Sequence, residues 1–84
     1  MEDCKCKLTV KIFDEDYAMK GNSSSEYIEM IANYVDRKMR QIASKSPRLS
    51  ATKIAVLAAL NIADELSKLQ EDYDNLAKIA DQSK

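Results

Sequence analysis

The spacing of apolar residues changes rhythm along this chain and divides it into four elements. From Lys7 to Phe13, Leu8, Val10 and Ile12 alternate with Lys7, Thr9 and Lys11. A period of two is that of a half-buried strand. The polar run Asp14-Glu15-Asp16 reads as a tight turn, and Tyr17 to Lys20 alternates again as a second, short strand. Two strands alone are not stable in water, so this hairpin must lie on a helix or extend a sheet across a dimer. Gly21-Asn22-Ser23 breaks the strand, and Ser23 with Glu26 has the spacing of a capping box. A helix then runs to about Ser44, with Ile28, Ile31, Val35, Met39 and Ile42 at steps of three and four. Asn33, Arg37 and Arg40 fall on its opposite, solvent face, while Tyr27, Tyr34, Lys38 and Lys45 flank the apolar stripe.

Ser46-Pro47-Arg48-Leu49-Ser50 connects this helix to the next. Pro47 disfavours helix in the residue before it. Ser50 is a good N-cap, and Leu49 is placed to tuck back onto the core. From Ser50 to the end there is neither Gly nor Pro. The first half of that stretch, Ile54 to Ala63, is apolar almost all the way round and so calls for burial. The second half narrows to one stripe, Ile62, Leu66, Leu69, Tyr73, Leu76 and Ala80, whose alternating steps of four and three form a coiled-coil seam. One long helix therefore completes a small head and then leaves it to find a partner helix. The expected class is α+β: a ββα head (hairpin plus helix) and a long C-terminal helix. Residues 1–6 form a flexible tail, 7–63 the head with the first half of the long helix, and 64–84 the coiled-coil extension.

Eighty-four residues make one small and marginally stable domain. With much of the chain extending past the head, a second copy is expected to complete the core. No run of about 20 apolar residues is present, and the charged start Met1 to Cys6 lacks an apolar signal segment, so a cytoplasmic protein is expected. The chain has no His, one Gly and one Pro. That removes the Ser-His-Asp and Cys-His arrangements and the Gly-rich phosphate loop, so no enzyme, cofactor or catalytic residue is expected. Cys4 and Cys6, the only cysteines, do not have the usual spacing of a zinc pair and have no second pair to complete a site. They are read as incidental thiols, with no metal site.

Formal net charge is −1, but it is unevenly distributed. Arg37, Lys38, Arg40, Lys45, Arg48 and Lys53 lie in a stretch with no acid, whereas Asp64, Glu65, Glu71, Asp72, Asp74 and Asp81 dominate the end of the chain. A basic middle can attract an acidic protein surface or phosphate. A small dimeric nucleic-acid-binding or regulatory module built on residues 37–53 is therefore the alternative class. Against it stand the near-neutral charge, the acidic end and the absence of a recognised nucleic-acid motif.

Several segments together resemble one family. They are Lys11-Ile12-Phe13 with Tyr17, Tyr34-Val35-Asp36-Arg37-Lys38-Met39-Arg40-Gln41-Ile42, Pro47-Arg48-Leu49-Ser50, and Ile54 through Leu66. Over roughly residues 8–76 the chain is similar to the ZapA family of bacterial cell-division proteins, in its short form. Where that family often has Gly in the hairpin turn, this chain has Asp14, which also tolerates left-handed backbone. The resemblance implies a homodimer through the long helix and head contacts, which can pair into a tetramer. It also implies a non-enzymatic role: binding FtsZ filaments and aligning or bundling them in the Z-ring at the mid-cell septum. On that reading the basic residues Arg37, Arg40, Lys45 and Arg48 are the candidate FtsZ contacts, since Arg in particular forks onto carboxylates. The oligomer-interface candidates are Leu57, Asn61, Ile62, Leu66, Leu69, Tyr73 and Leu76. Asn61 interrupts an apolar run and is expected either to hydrogen-bond the head or to pair across the dimer. Tyr73 is bulky for a parallel two-stranded seam. Asp64 with Lys68 and Asp74 with Lys78 are expected i,i+4 ion pairs.

Overall fold

The computed structural model describes residues 6–82. Strand β1 (Cys6–Ile12) pairs antiparallel with β2 (Glu15–Gly21), and α1 (Ser25–Lys45) and α2 (Ala51–Gln82) follow. The class and element order are those the hydrophobic pattern predicts. Cys6, placed by the pattern in the tail, opens β1 opposite Gly21; Cys4 lies outside the described residues.

The hairpin turn sits one position earlier than expected. Ile12 pairs with Glu15, so the turn is Phe13-Asp14, and Glu15 and Asp16 belong to β2. Both turn residues have positive φ, 52° and 68°, which is what a two-residue loop needs to match the twist of its strands. Asp14 adopts this conformation readily, but for an aromatic residue it is strained. The strain at Phe13 is offset by α1. The Phe13 N–H donates to Asp36 Oδ1 at 2.7 Å, and Arg40 bonds both Asp36 (3.0 and 3.1 Å) and Asp14 (2.9 Å). The guanidinium carbon also lies 5.8 Å from the Phe13 ring centroid, within cation–π range.

Because β2 extends to Gly21, chain is used up in the crossing to α1, and the cap moves from Ser23 to Ser24. The Ser24 hydroxyl accepts from the Tyr27 N–H at 3.2 Å. Gly21 leaves room there, since a Cβ would come within 2.9 Å of Ile28 Cδ1. At the other junction Ser50 caps α2 as expected, its hydroxyl accepting from the Lys53 N–H at 3.2 Å.

The core is small and has two parts that meet at Ile12. In the first, Ile28 and Ala32 of α1 cover Val10, with Leu8 alongside. In the second, Met39 of α1 packs on Ile54 and Ala58 of α2, ringed by Phe13, Val35, Ile42, Ala43 and Leu49. Leu49 thus folds back as the sequence implies. Ile31, assigned to the buried stripe, is exposed, and its neighbour Ala32 is the residue buried with Val10 and Ile28. The Cα radius of gyration is 17.1 Å, against roughly 12 Å for a compact domain of this length. The excess is α2, about 48 Å long at 1.5 Å per residue, most of which stands clear of the head. No helix among the described residues is long and apolar enough to cross a membrane.

Candidate protein-interaction surfaces

Three stripes can be traced along α2, and each has a different environment. The first faces α1: Ile54, Ala58, Asn61 and Glu65, at steps of four, three and four. Its apolar members are buried. Its polar members meet a matching pair on α1, where Tyr34 and Lys38 are one turn apart. Glu65 Oε1 accepts from the Tyr34 hydroxyl, and Glu65 Oε2 accepts from Lys38 Nζ. Lys38 Nζ also reaches Asn61 Oδ1 at 3.4 Å and lies 5.5 Å from the Tyr34 ring centroid. The hydrogen bond from Lys38, then that from Tyr34, holds the Glu65 carboxyl below the ordinary carboxylate range. Reciprocally, the bond to Glu65 raises both the Lys38 ammonium and the Tyr34 hydroxyl above their ordinary values. Asn61 therefore bonds within the chain, to a lysine on a helix.

The second stripe is the predicted seam. Leu66, Leu69, Tyr73 and Leu76 are all exposed, together with Ile79, and Ile62 is half-buried. The third lies on the back of the head-proximal half: Val56, Leu57 and Leu60, also exposed. At 100° per residue this back face is roughly 160° round the helix from the seam. The expectation that Ile54 to Ala63 is buried all round thus holds within one chain only for the face toward α1. The acids and lysines between the apolar stripes face water. Asp64 pairs with Lys68 at 3.0 Å as expected, whereas Asp74 accepts from Gln70 at 3.4 Å and is not paired with Lys78.

The basic candidates differ in how far they are committed. Arg37, Lys45 and Arg48 are all exposed, and none forms an ion pair among the described residues. Arg40 does not simply point to solvent. It is tied to Asp36 and Asp14, and the bond to Asp36 is the main reason its guanidinium is raised above its ordinary value. The same bond, followed by the Phe13 N–H, lowers Asp36. Sequence reasoning missed Asp36 and Glu65. The available signals were the i,i+4 spacing of Asp36 with Arg40 and the turn of the Ile54-Ala58 stripe from apolar to polar at Asn61.

A family model described as cell division protein ZapA matches residues 8–83. Cell division protein ZapA of Geobacillus sp. (strain WCH70) is 44% identical over 75 residues, covering 89% of this chain and 86% of that protein. The Geobacillus thermodenitrificans (strain NG80-2) protein of the same name is 41% identical over 76 residues, covering 90% and 84%. Among solved structures, a ZapA mutant dimer from Geobacillus stearothermophilus superposes with a TM-score of 0.76 at 37% identity, covering 96% of this chain and 94% of that one. An unknown conserved bacterial protein from Pseudomonas aeruginosa PAO1 superposes with a TM-score of 0.70 at 34% identity, covering 90% and 85%. With the family model spanning nearly the whole sequence and the fold shared, this chain belongs to the ZapA family of cell division proteins.

Proposed function

We propose that this protein is a non-enzymatic component of the cytoplasmic division ring. It assembles through α2 into a homodimer, binds FtsZ filaments through its heads, and aligns or bundles them at the mid-cell septum. The observation that carries this reading is the uncovered apolar surface of α2, where Leu66, Leu69, Tyr73, Leu76 and Ile79 all face water in the single chain. So long a line of large apolar side chains calls for a second helix, and a ZapA chain of the same fold has been solved as a dimer. The two exposed faces of α2 point in different directions, and one straight partner helix cannot cover both. This favours a dimer through one face and a weaker pairing of dimers through the other.

The head supplies the filament contact. Arg37, Lys45 and Arg48, without an ion-pair partner among the described residues, are suited to an acidic protein surface. Arg40 stays in the proposed surface with 49% of its side chain exposed, although its guanidinium is already shared with Asp14 and Asp36. Each head can bind weakly, because two or more heads on one connector act through avidity.

The test is co-sedimentation with polymerised FtsZ, with light scattering to report bundling. The parent protein should pellet with filaments and raise scattering, less so as salt screens the exposed charges. Arg37→Glu with Arg48→Glu should abolish both signals and leave the dimer intact. If that variant bundles as the parent does, the filament contact lies elsewhere on the head.

A further inference from the structure

Apolar packing between α1 and α2 stops early. Ala58 is the last buried residue on α2 among those described, and beyond it only Ile62 and Glu65 are even half-buried. Past that point the head holds α2 through polar contacts. Those contacts form a two-by-two lattice, with Tyr34 and Lys38 one turn apart on α1 and Asn61 and Glu65 one turn apart on α2. Both Glu65 carboxylate oxygens are used, one for each α1 partner. The Lys38 side chain is 17% exposed and that of Glu65 40%, so the Lys38 stem is covered where the helices meet while its ammonium reaches out to the Glu65 carboxylate. Such a lattice resists both sliding and tilting of one helix on the other.

From this we infer that Glu65 is a positioning residue. Locked to Lys38 and Tyr34, it sets the bearing of the distal half of α2 against the head, and with it the spacing of the filaments that the assembled protein joins. This rests on the proposed function and deepens it. Leverage explains why one side chain suffices. From Glu65 to Gln82 the helix runs about 25 Å, so a tilt of about 10° at its base displaces its end by about 4 Å. The location matters too, since Ile62 and Leu66 of the partner-seeking seam flank Glu65 on the same turns. A partner seated on that seam inherits whatever direction the clamp imposes. An exposed ion pair contributes little to stability, but here the carboxylate fixes geometry, which stability alone does not report.

The test uses the full chain with Cys4→Ser and Cys6→Ser, spin-labelled at Asn33→Cys on the head and Glu71→Cys on the arm. Labelled chains are diluted into excess unlabelled chain so that only the intrachain distance is read. The parent should give one narrow distance distribution. Glu65→Gln and Lys38→Met should lose it for a broad or shifted one, and the exchanged pair Lys38→Glu with Glu65→Lys should restore a narrow distribution. In micrographs of FtsZ bundles, the single variants should lose the regular inter-filament spacing while light scattering still reports dimers. Distance distributions that superpose on the parent would overturn the clamp. An altered distribution with unchanged filament spacing would overturn its role in spacing. Should Glu65→Gln not fold, Tyr34→Phe, which removes one hydroxyl, decides the matter: broadening supports the clamp and an unchanged distribution overturns it. If the parent itself does not bundle FtsZ, the function proposed above fails, while the distance measurement still decides whether Glu65 sets the bearing of α2.

Discussion

Leu69 sits in the middle of the exposed seam, and replacing it with Glu tests whether that seam is an interface. In the single chain Leu69 is 66% exposed. Burying a whole Leu side chain is worth about 1.5–3 kcal/mol, so covering the exposed two thirds contributes about 1–2 kcal/mol per chain, or about 2–4 kcal/mol for both copies. Losing that much weakens a dimer roughly 30- to 700-fold. The Leu69→Glu change would in addition carry a carboxylate into an apolar seam, so the loss should reach at least the upper half of that range. Sedimentation equilibrium across a wide concentration range reads the dimer constant directly. Glu71→Gln is the matched control: Glu71 lies two residues on, about 200° round the helix from Leu69, and its loss should leave the constant within a few-fold of the parent. If Leu69→Glu dimerises as tightly as the parent, the seam is not the interface, and the account of α2 as a connector fails.

Other outcomes follow from the head. Ile54→Ala removes a nearly fully buried side chain from the α1–α2 cluster and should cost about 2–5 kcal/mol of stability, read by denaturant unfolding. Asp36→Ala removes the acceptor of the Phe13 N–H and a partner of Arg40. It should lower the melting temperature and loosen the hairpin tip, seen as faster amide exchange at Phe13 and Asp14. Asp36 and Glu65 are both held below their ordinary values, so their contribution is complete above about pH 5 and is lost as pH falls through the depressed values. Lys38 is raised, so its contribution is complete at neutral pH and is lost only above its ordinary value of about 10.4. Melting followed by circular dichroism should thus be flat near neutrality and fall on the acid side below about pH 4. Cys4→Ser with Cys6→Ser should leave melting and assembly nearly unchanged, with no stoichiometric zinc in the purified parent by elemental analysis.

The regular elements could be read from the sequence because their patterns are local. Leu8, Val10 and Ile12 point to one face of a strand whatever packs against it, and Ser50 can cap α2 without help from elsewhere. The errors arose where long-range contacts decide between local options. Three consecutive serines could cap α1, and strand pairing through Gly21 selected Ser24. The Asp14-Glu15-Asp16 run has strong turn character, yet the turn took in Phe13 because Asp36 and Arg40, 23 and 26 residues away along the chain from their turn partners, hold it there. Arg40 shows the same limit at the candidate site. Its position on α1 suggested a solvated cation, whereas its partners include the tip of the hairpin. The Glu65 clamp was equally hidden, since nothing in the local order of residues says which acid on α2 will stand opposite Lys38. The exposed stripes of α2, in contrast, were legible as a demand for a partner, because a narrow line of Leu and Tyr residues on a long helix has few other uses.

On the function proposed above, paired heads on an α2 connector bind and align FtsZ filaments. This is tested most directly by sedimenting the purified protein with polymerised FtsZ, beside Leu69→Glu and Arg37→Glu with Arg48→Glu, while following light scattering. The parent should pellet with filaments and raise scattering. Leu69→Glu should associate weakly without bundling, and the Arg37→Glu with Arg48→Glu variant should stay dimeric in the supernatant. A parent protein that remains wholly in the supernatant at low salt, or a Leu69→Glu variant that bundles filaments as well as the parent, would contradict that function.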